Sequence, residues 1–328
     1  MTKLRVAQHV WYFHVLCVVV LSALTGSPLY AEEGGPESTS PALASATYSD
    51  KGADTCLTCH NDQSMLVIFR TAHGQGSDPN TPFAHLQCES CHGPGGNHAG
   101  RRNVGAGHPS VVRFGNRENT PVDEQNAVCM SCHTRHVGLQ WTGSPHQRNE
   151  VACADCHSVH AAVDRVSVLT EQAEVCSGCH ARQRADSHKP YAHPIASGIM
   201  TCTSCHNAHH SVNSALLKRN DLNELCWSCH TELRGPFLFE HAPVSEDCSL
   251  CHLVHGSIHP AMLARRAPLL CQACHSRSGH PSDSYTAADL PGGGGNPSRN
   301  VYVAGGSCLN CHRQVHGSNH PSGVKLMR

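Results

Sequence analysis

CADCHSVH, residues 153–160, sets two cysteines two residues apart, a histidine directly after them, and a second histidine three residues further on. The same grammar returns in CTSCHNAH (202–209) and CSLCHLVH (248–255). Working outward from these octets, 20 of the 21 cysteines fall into one pattern, Cys17 alone standing apart. The pairs are Cys56/Cys59, Cys88/Cys91, Cys129/Cys132, Cys153/Cys156, Cys176/Cys179, Cys202/Cys205, Cys226/Cys229, Cys248/Cys251, Cys271/Cys274 and Cys308/Cys311. Each is followed at once by a histidine: His60, His92, His133, His157, His180, His206, His230, His252, His275 and His312.

C-x-x-C-H is the attachment signal of c-type haem. Two thiols form thioethers to the porphyrin vinyls, and the adjacent imidazole comes under the iron as proximal ligand. Zinc is the first competing reading, because two C-x-x-C units can build a tetrahedral site; it gives no reason for a histidine at the same next position ten times. Disulfides are the second, common in exported cysteine-rich chains, and they too would not repeat this grammar. The expected cofactors are therefore ten covalently attached c-type haems.

The composition agrees. Of 328 residues, 5% are aromatic and 15% charged, with 29 histidines, 28 glycines and 19 prolines; a typical soluble domain has about 25% charged residues. Such a chain has little with which to fill an apolar interior. Macrocycles packed on one another then form the core, and the fold class expected is a multihaem cytochrome c: short α-helices ending in C-x-x-C-H and extensive loops around a linear haem chain, little β, elongated. By the same argument the apoprotein does not fold.

Residues 1–31 read as a signal peptide: Lys3 and Arg5, then the apolar VLCVVVLSAL (15–24), then LYA before Glu32. That run is too short for a membrane span of about 20 residues. Residues 32–51 are a flexible N-terminal segment. Three blocks follow: 52–175 with haems 1–4, 176–270 with haems 5–8, and a partial block at 271–328 with haems 9–10.

The remaining histidines divide by their phase in this repeat. His73, His98, His146 and His160 follow the first four motifs by 13, 6, 13 and 3 residues. His193, His209, His241 and His255 follow the next four by 13, 3, 11 and 3, and His280 and His316 close the series at 5 and 4. Long and short spacings alternate, and these histidines are the distal ligands expected. His85, His108, His136, His188, His210, His259 and His320 are left over and read as surface or propionate-contacting residues, with His320 able to displace His316 or His280. A histidine three residues past the proximal one cannot pass round the macrocycle to its far face. His160, His209 and His255 must therefore each ligate a neighbouring haem, stapling one to the next.

Bis-histidine ligation leaves no open coordination position, which catalysis at a metal normally requires. The expectation is an electron carrier, not an enzyme. Loss of Lys3 and Arg5 with the signal leaves 22 basic against 25 acidic residues. Oxidised and reduced haems add about −1 and −2 each once their propionates are counted, so the holoprotein carries roughly −13 to −23.

KGADTCLTCH (51–60), LQCESCHGP (86–94), EVCSGCH (174–180), RGPFLFEHAPVSEDC (234–248) and SCLNCHRQVHGSNHPSG (307–323) together resemble the MtrA/DmsE family of periplasmic decahaem cytochromes. The resemblance covers nearly all of the mature chain and includes residues that are not ligands. It implies a haem wire in the periplasm, associated with the outer membrane and threaded through a β-barrel porin. The implied partners are periplasmic or inner-membrane donor cytochromes on one side. On the other is an extracellular multihaem cytochrome or terminal reductase, in anaerobic respiration and extracellular electron transfer. No nucleic acid is among them. The ten repeat-phased histidines sit where the family carries histidine, whereas His85, His108, His136, His188 and His259 depart from it. A free periplasmic shuttle, like the pentahaem partners of nitrite reductase, and a multihaem reductase are the competing functions.

Overall fold

One helical turn at every C-x-x-C-H sets the architecture. In all ten motifs the histidine N–H donates to the carbonyl of the first cysteine at 2.9–3.0 Å. Positions i, i+3 and i+4 of a helix share a face, so this bond turns both sulfurs and the imidazole to one side. The computed structural model describes residues 46–99, 111–275 and 308–328, apart from 116, 119 and 214. The expected signal peptide, most of the segment 32–51, His108, His280 and the glycine-rich stretch 291–300 lie outside the described residues.

The motifs alternate in how their turn is built. Odd-numbered ones end or continue a helix that begins before them: Ala53–Leu57, Val122–Met130, Leu169–Ser177, Leu222–Trp227 and Ala267–Cys271. Even-numbered ones occupy a turn of their own: Glu89–His92, Cys153–Cys156, Cys202–Cys205, and the 3-10 turns Cys248–Leu250 and Cys308–Asn310. Local signals start the longer pieces. Asp221 accepts from Glu224 N at 2.8 Å and caps Leu222–Trp227, and Asp123 and Glu124 lie in the first turn of Val122–Met130, where the helix dipole favours negative charge. No helix among the described residues is long and apolar enough to cross a membrane.

Buried amides tie the third, fifth and seventh motifs to the even one after each. Asn126 accepts from Cys153 N at 2.8 Å and donates to Val151 O at 3.1 Å. Asn223 does the same for Cys248 N, 2.8 Å, and Val244 O, 3.0 Å. Gln172 accepts from Thr203 N at 3.0 Å and donates to Val166 O at 2.9 Å. All three are buried, so each clip satisfies backbone groups that would otherwise be stranded away from water. Sheet structure among the described residues is limited to four isolated bridges, Tyr191–Ser257, His206–Leu217, Phe239–Ser318 and His252–Leu263. Two bridges need glycine beside them. Gly256 and Gly317 have φ of +140° and +137°, and a Cβ would strike Asp186 O and the Phe237 ring respectively.

The apolar core is meagre. Among described residues the buried hydrophobics are Ala53, Ile68, Val122, Trp141, Ala152, Leu216 and Ala267, and the largest fully buried side chain is Gln125. An interior of this kind cannot supply the apolar burial that usually drives folding. It is organised instead around a continuous cavity of about 5700 Å³, lined by the cysteine pairs and histidines of successive motifs, with Cys311 the one motif cysteine left out.

Candidate haem centres

Nine pairs of imidazoles face one another across this cavity, each joining a C-x-x-C-H histidine to a histidine from another motif's segment. His60 faces His98 at a ring-centre distance of 6.4 Å, His92 faces His160 at 6.3 Å, and His133 faces His73 at 6.0 Å. His157 faces His209 at 6.1 Å, His180 faces His146 at 6.2 Å, and His206 faces His255 at 6.2 Å. His230 faces His193 at 6.5 Å, His252 faces His316 at 6.2 Å, and His275 faces His241 at 6.0 Å. A metal bound to one nitrogen of each ring at about 2 Å puts the ring centres roughly 6 Å apart. The separations therefore fit an iron between each pair. Shared among ten motifs, the cavity provides about 570 Å³ each, within the roughly 300–1,000 Å³ of small-molecule sites.

Two further observations support that fit. The indole N–H of Trp141 and Nδ1 of His210 are buried with no hydrogen-bond partner in the protein, a state that buried polar groups rarely tolerate. Both residues line the cavity, where propionate carboxylates would satisfy them. The thiols offer the other. All twenty motif cysteines are free, and no cluster among the described residues has three His, Cys, Asp or Glu placed to hold a metal by itself.

Hydrogen bonds orient the rings. His92, His206, His252 and His312 donate Nδ1–H to Val112 O, Ala215 O, Ala261 O and Lys325 O at 2.7–2.8 Å. His157 donates to the Asp164 carboxylate at 2.6 Å. Among the facing rings, His146, His193 and His241 donate to Ala208 O, Val254 O and Val315 O at 2.7, 3.1 and 3.0 Å. Those three carbonyls belong to the residues just before His209, His255 and His316, so adjacent centres are tied through the backbone. A donor bond at Nδ1 leaves Nε2 as the ligand nitrogen. Burial, reinforced by the facing imidazole, also holds His73, His209, His255 and His316 below the ordinary histidine range, keeping the lone pair available at neutral pH. Asp164 is held below the usual carboxylate range: burial opposes this, but hydrogen bonds from His157 and Ser158 N outweigh it.

The sulfurs record which motifs are neighbours. First cysteines of odd–even pairs are neighbours that perturb one another's titration: Cys56 with Cys88, Cys129 with Cys153, Cys176 with Cys202, Cys226 with Cys248, and Cys271 with Cys308. Second cysteines of even motifs have the following odd motif as neighbour, Cys91 with Cys129 and Cys132, Cys156 with Cys179, Cys205 with Cys229 and Cys251 with Cys274. Burial and the neighbouring thiol push Cys88 up to about 11 and Cys226 to about 12; these values describe the thiols before attachment, since a thioether carries no proton.

Cys308 and His312 line the cavity, whereas Cys311 is exposed and lies outside the lining. Exposure by itself does not set it apart, since Cys59, Cys132, Cys156, Cys179, Cys229 and Cys274 are exposed as well.

His160, His209 and His255 each lie across from a proximal histidine two motifs back, and His316 faces His252, so His320 does not stand in that place. His320 instead has its Nδ1 beside the Ser322 hydroxyl at 2.9 Å. The described pairs cross the block boundary at 175/176, since His146 faces His180 and His209 faces His157. Neither the destination of each distal histidine nor Asp164 was picked out by spacing alone. For Asp164 a signal exists: it stands seven residues after His157, where Asn213 and His259 stand seven after theirs.

Comparison with known proteins agrees with this geometry. A family model described as cytochrome c-type protein NrfB-like matches residues 88–174, and the doubled CXXCH motif matches 193–235 and 241–280. The chain is 48% identical over 287 residues to the multiheme cytochrome MtrA of Shewanella baltica (strain OS185), covering 87% of this chain and 84% of that protein. It is 35% identical over 136 residues to the cytochrome c-type protein NrfB of Escherichia coli O6:H1, covering 40% of this chain and 66% of that one. Cysteine pairs on single helical turns, imidazoles spaced for iron and this identity lead to one conclusion: the chain belongs to the MtrA family of multihaem c-type cytochromes, which are electron-transfer proteins.

Proposed function

We propose that the chain holds ten bis-histidine haems and conducts electrons along them across the outer membrane inside a β-barrel porin. Each haem, when bound, supplies a one-electron couple with no vacant coordination position. The tenth is attached at Cys308, within the cavity, and at the exposed Cys311. The observation that carries this reading is the rule linking eight of the nine described pairs of facing imidazoles. Histidines after odd motifs reach forward two motifs (His73 to His133, His146 to His180, His193 to His230, His241 to His275), and those after even motifs reach back two (His160 to His92, His209 to His157, His255 to His206, His316 to His252). At one end His98 turns the series round onto His60. Mirroring that turn at the other end assigns His280 to His312 and closes the circuit of donations.

In this wiring every centre is held by two distant parts of the chain, so the blocks 52–175, 176–270 and 271–328 are repeats of one cooperative unit. The family resemblance supports the porin, the location in the periplasm at the outer membrane, and partners on both sides: donor cytochromes within, and an extracellular cytochrome or terminal reductase outside. The likeness to NrfB over part of the chain favours the second reading, a free periplasmic shuttle. Co-expression with an exported β-barrel separates the two. Conduction predicts co-purification of the pair, and reduction of a dye sealed in proteoliposomes only when both are inserted. A chain that stays free of the barrel and reduces a soluble reductase instead overturns it.

A further inference from the structure

The fourth, sixth and eighth motifs share one frame, a second histidine three residues after the proximal one: HSVHAAVD (157–164), HNAHHSVN (206–213) and HLVHGSIH (252–259). Their proximal rings face distal rings at nearly the same shallow angle, 17°, 17° and 16°. Ligand type and ligand orientation therefore do not distinguish the three centres. The partner of Nδ1 does. His206 and His252 donate to neutral backbone carbonyls, Ala215 O and Ala261 O, both at 2.8 Å. His157 donates to the carboxylate of Asp164 at 2.6 Å.

Asp164 is held for this contact. Its other oxygen accepts from Ser158 N at 3.1 Å, and the neighbouring Arg165 turns to Glu171 instead, at 2.8 Å. The equivalent Asn213 is occupied elsewhere, accepting from Leu217 N at 2.9 Å and donating to Arg219 O at 2.9 Å. Glu232 lies 3.7 Å from His230 Nδ1, beyond hydrogen-bond reach. Among the described residues, His157 is thus the proximal imidazole hydrogen-bonded to a carboxylate.

We propose that Asp164 is a positioning residue that sets the potential of the haem at the fourth motif below those at the sixth and eighth. A charge-assisted hydrogen bond polarises the imidazole N–H more strongly than a carbonyl does, and a carboxylate behind a ligand histidine raises that ligand's basicity. Greater donation from Nε2, with a fixed negative charge nearby, stabilises the ferric over the ferrous iron. The chain then carries an intrinsic low step near its middle, encountered by electrons travelling in either direction.

This inference rests on the bis-histidine reading, and one titration tests both separately. Potentiometric titration of the holoprotein, followed by electron paramagnetic resonance, resolves the shallow-angle centres as rhombic signals. In wild type, one rhombic centre should lie apart at low potential, its oxidised-to-reduced ratio at least tenfold above the other rhombic centres, which is about 59 mV for a one-electron couple. In Asp164→Asn, which keeps an acceptor but removes the charge, that centre alone should move up by about the same factor. No separated rhombic centre in wild type overturns the proposal even if the variant does not mature. So does a variant in which no centre moves, or in which several move together. High-spin iron in wild type would instead overturn the ligation on which it rests.

Discussion

Replacing His160 with alanine opens one iron, and the structure says which. His160 follows the fourth motif but faces His92 of the second at 6.3 Å, with ring planes 57° apart. Its neighbour His157 pairs with His209 at 17°. These angles have different spectral consequences. Steeply crossed imidazoles leave the two iron dπ orbitals nearly degenerate and produce a ferric signal with a very large maximum g. Nearly parallel ones split the orbitals and produce a rhombic signal. Of the nine described pairs, four are steep, at 51–68°, and five are shallow, at 16–27°. His160→Ala should therefore remove about a quarter of the large-g intensity. An equal amount of high-spin iron, about one tenth of the total for ten motifs, should appear while the rhombic signals stay unchanged. Added imidazole should restore the low-spin form. Loss of a rhombic signal instead would place His160 on the haem of its own motif and refute the wiring.

His280→Ala should yield one high-spin iron, while His320→Ala leaves every iron low-spin; the opposite result in the same spectra would transfer the ligand role to His320. Asn126→Ala strands Cys153 N and Val151 O at a buried position, a loss of about 1–3 kcal/mol; the holoprotein's Tm should fall by about 2–10 °C, and an unchanged Tm would mean the clip contributes nothing. Gly256→Ala drives a Cβ into Asp186 O at a φ of +140°, costing at least about 1–3 kcal/mol. Haem loading per chain and thermal melting should both decrease, and wild-type behaviour would show that the bridge at Ser257 tolerates a side chain.

The chemistry was legible in the sequence because covalent attachment is written locally. Two thiols and an imidazole must reach one macrocycle from a single helical turn, so C-x-x-C-H announces itself at Cys153–His157 as plainly as at Cys308–His312. The scarcity of apolar residues likewise announced a core not made of side chains, and the buried set of three alanines, four larger hydrophobics and several amides is what such a chain leaves. Phase in the repeat singled out His146 and His255, and both face proximal imidazoles. Spacing could also exclude a destination, since three residues do not carry His160 round its own haem.

It could not name the destination. His146 meets His180 because Asn126 and Gln172 clip odd motifs to even ones, and because Nδ1 of His146 reaches Ala208 O, 62 residues away. Such partners are fixed by packing of distant segments, to which a period along the chain is blind. Equal motifs also end in unequal surroundings: Cys251 is half-buried beside Cys274 of the next motif, and Cys311 is exposed. The same holds for Asp164. Sequence places a carboxylate seven residues after His157 and an amide seven after His206, but only the backbone path decides that one reaches the imidazole and the other turns away. Local covalent grammar determined what this protein carries; long-range hydrogen bonds decided how its centres are joined and made unequal.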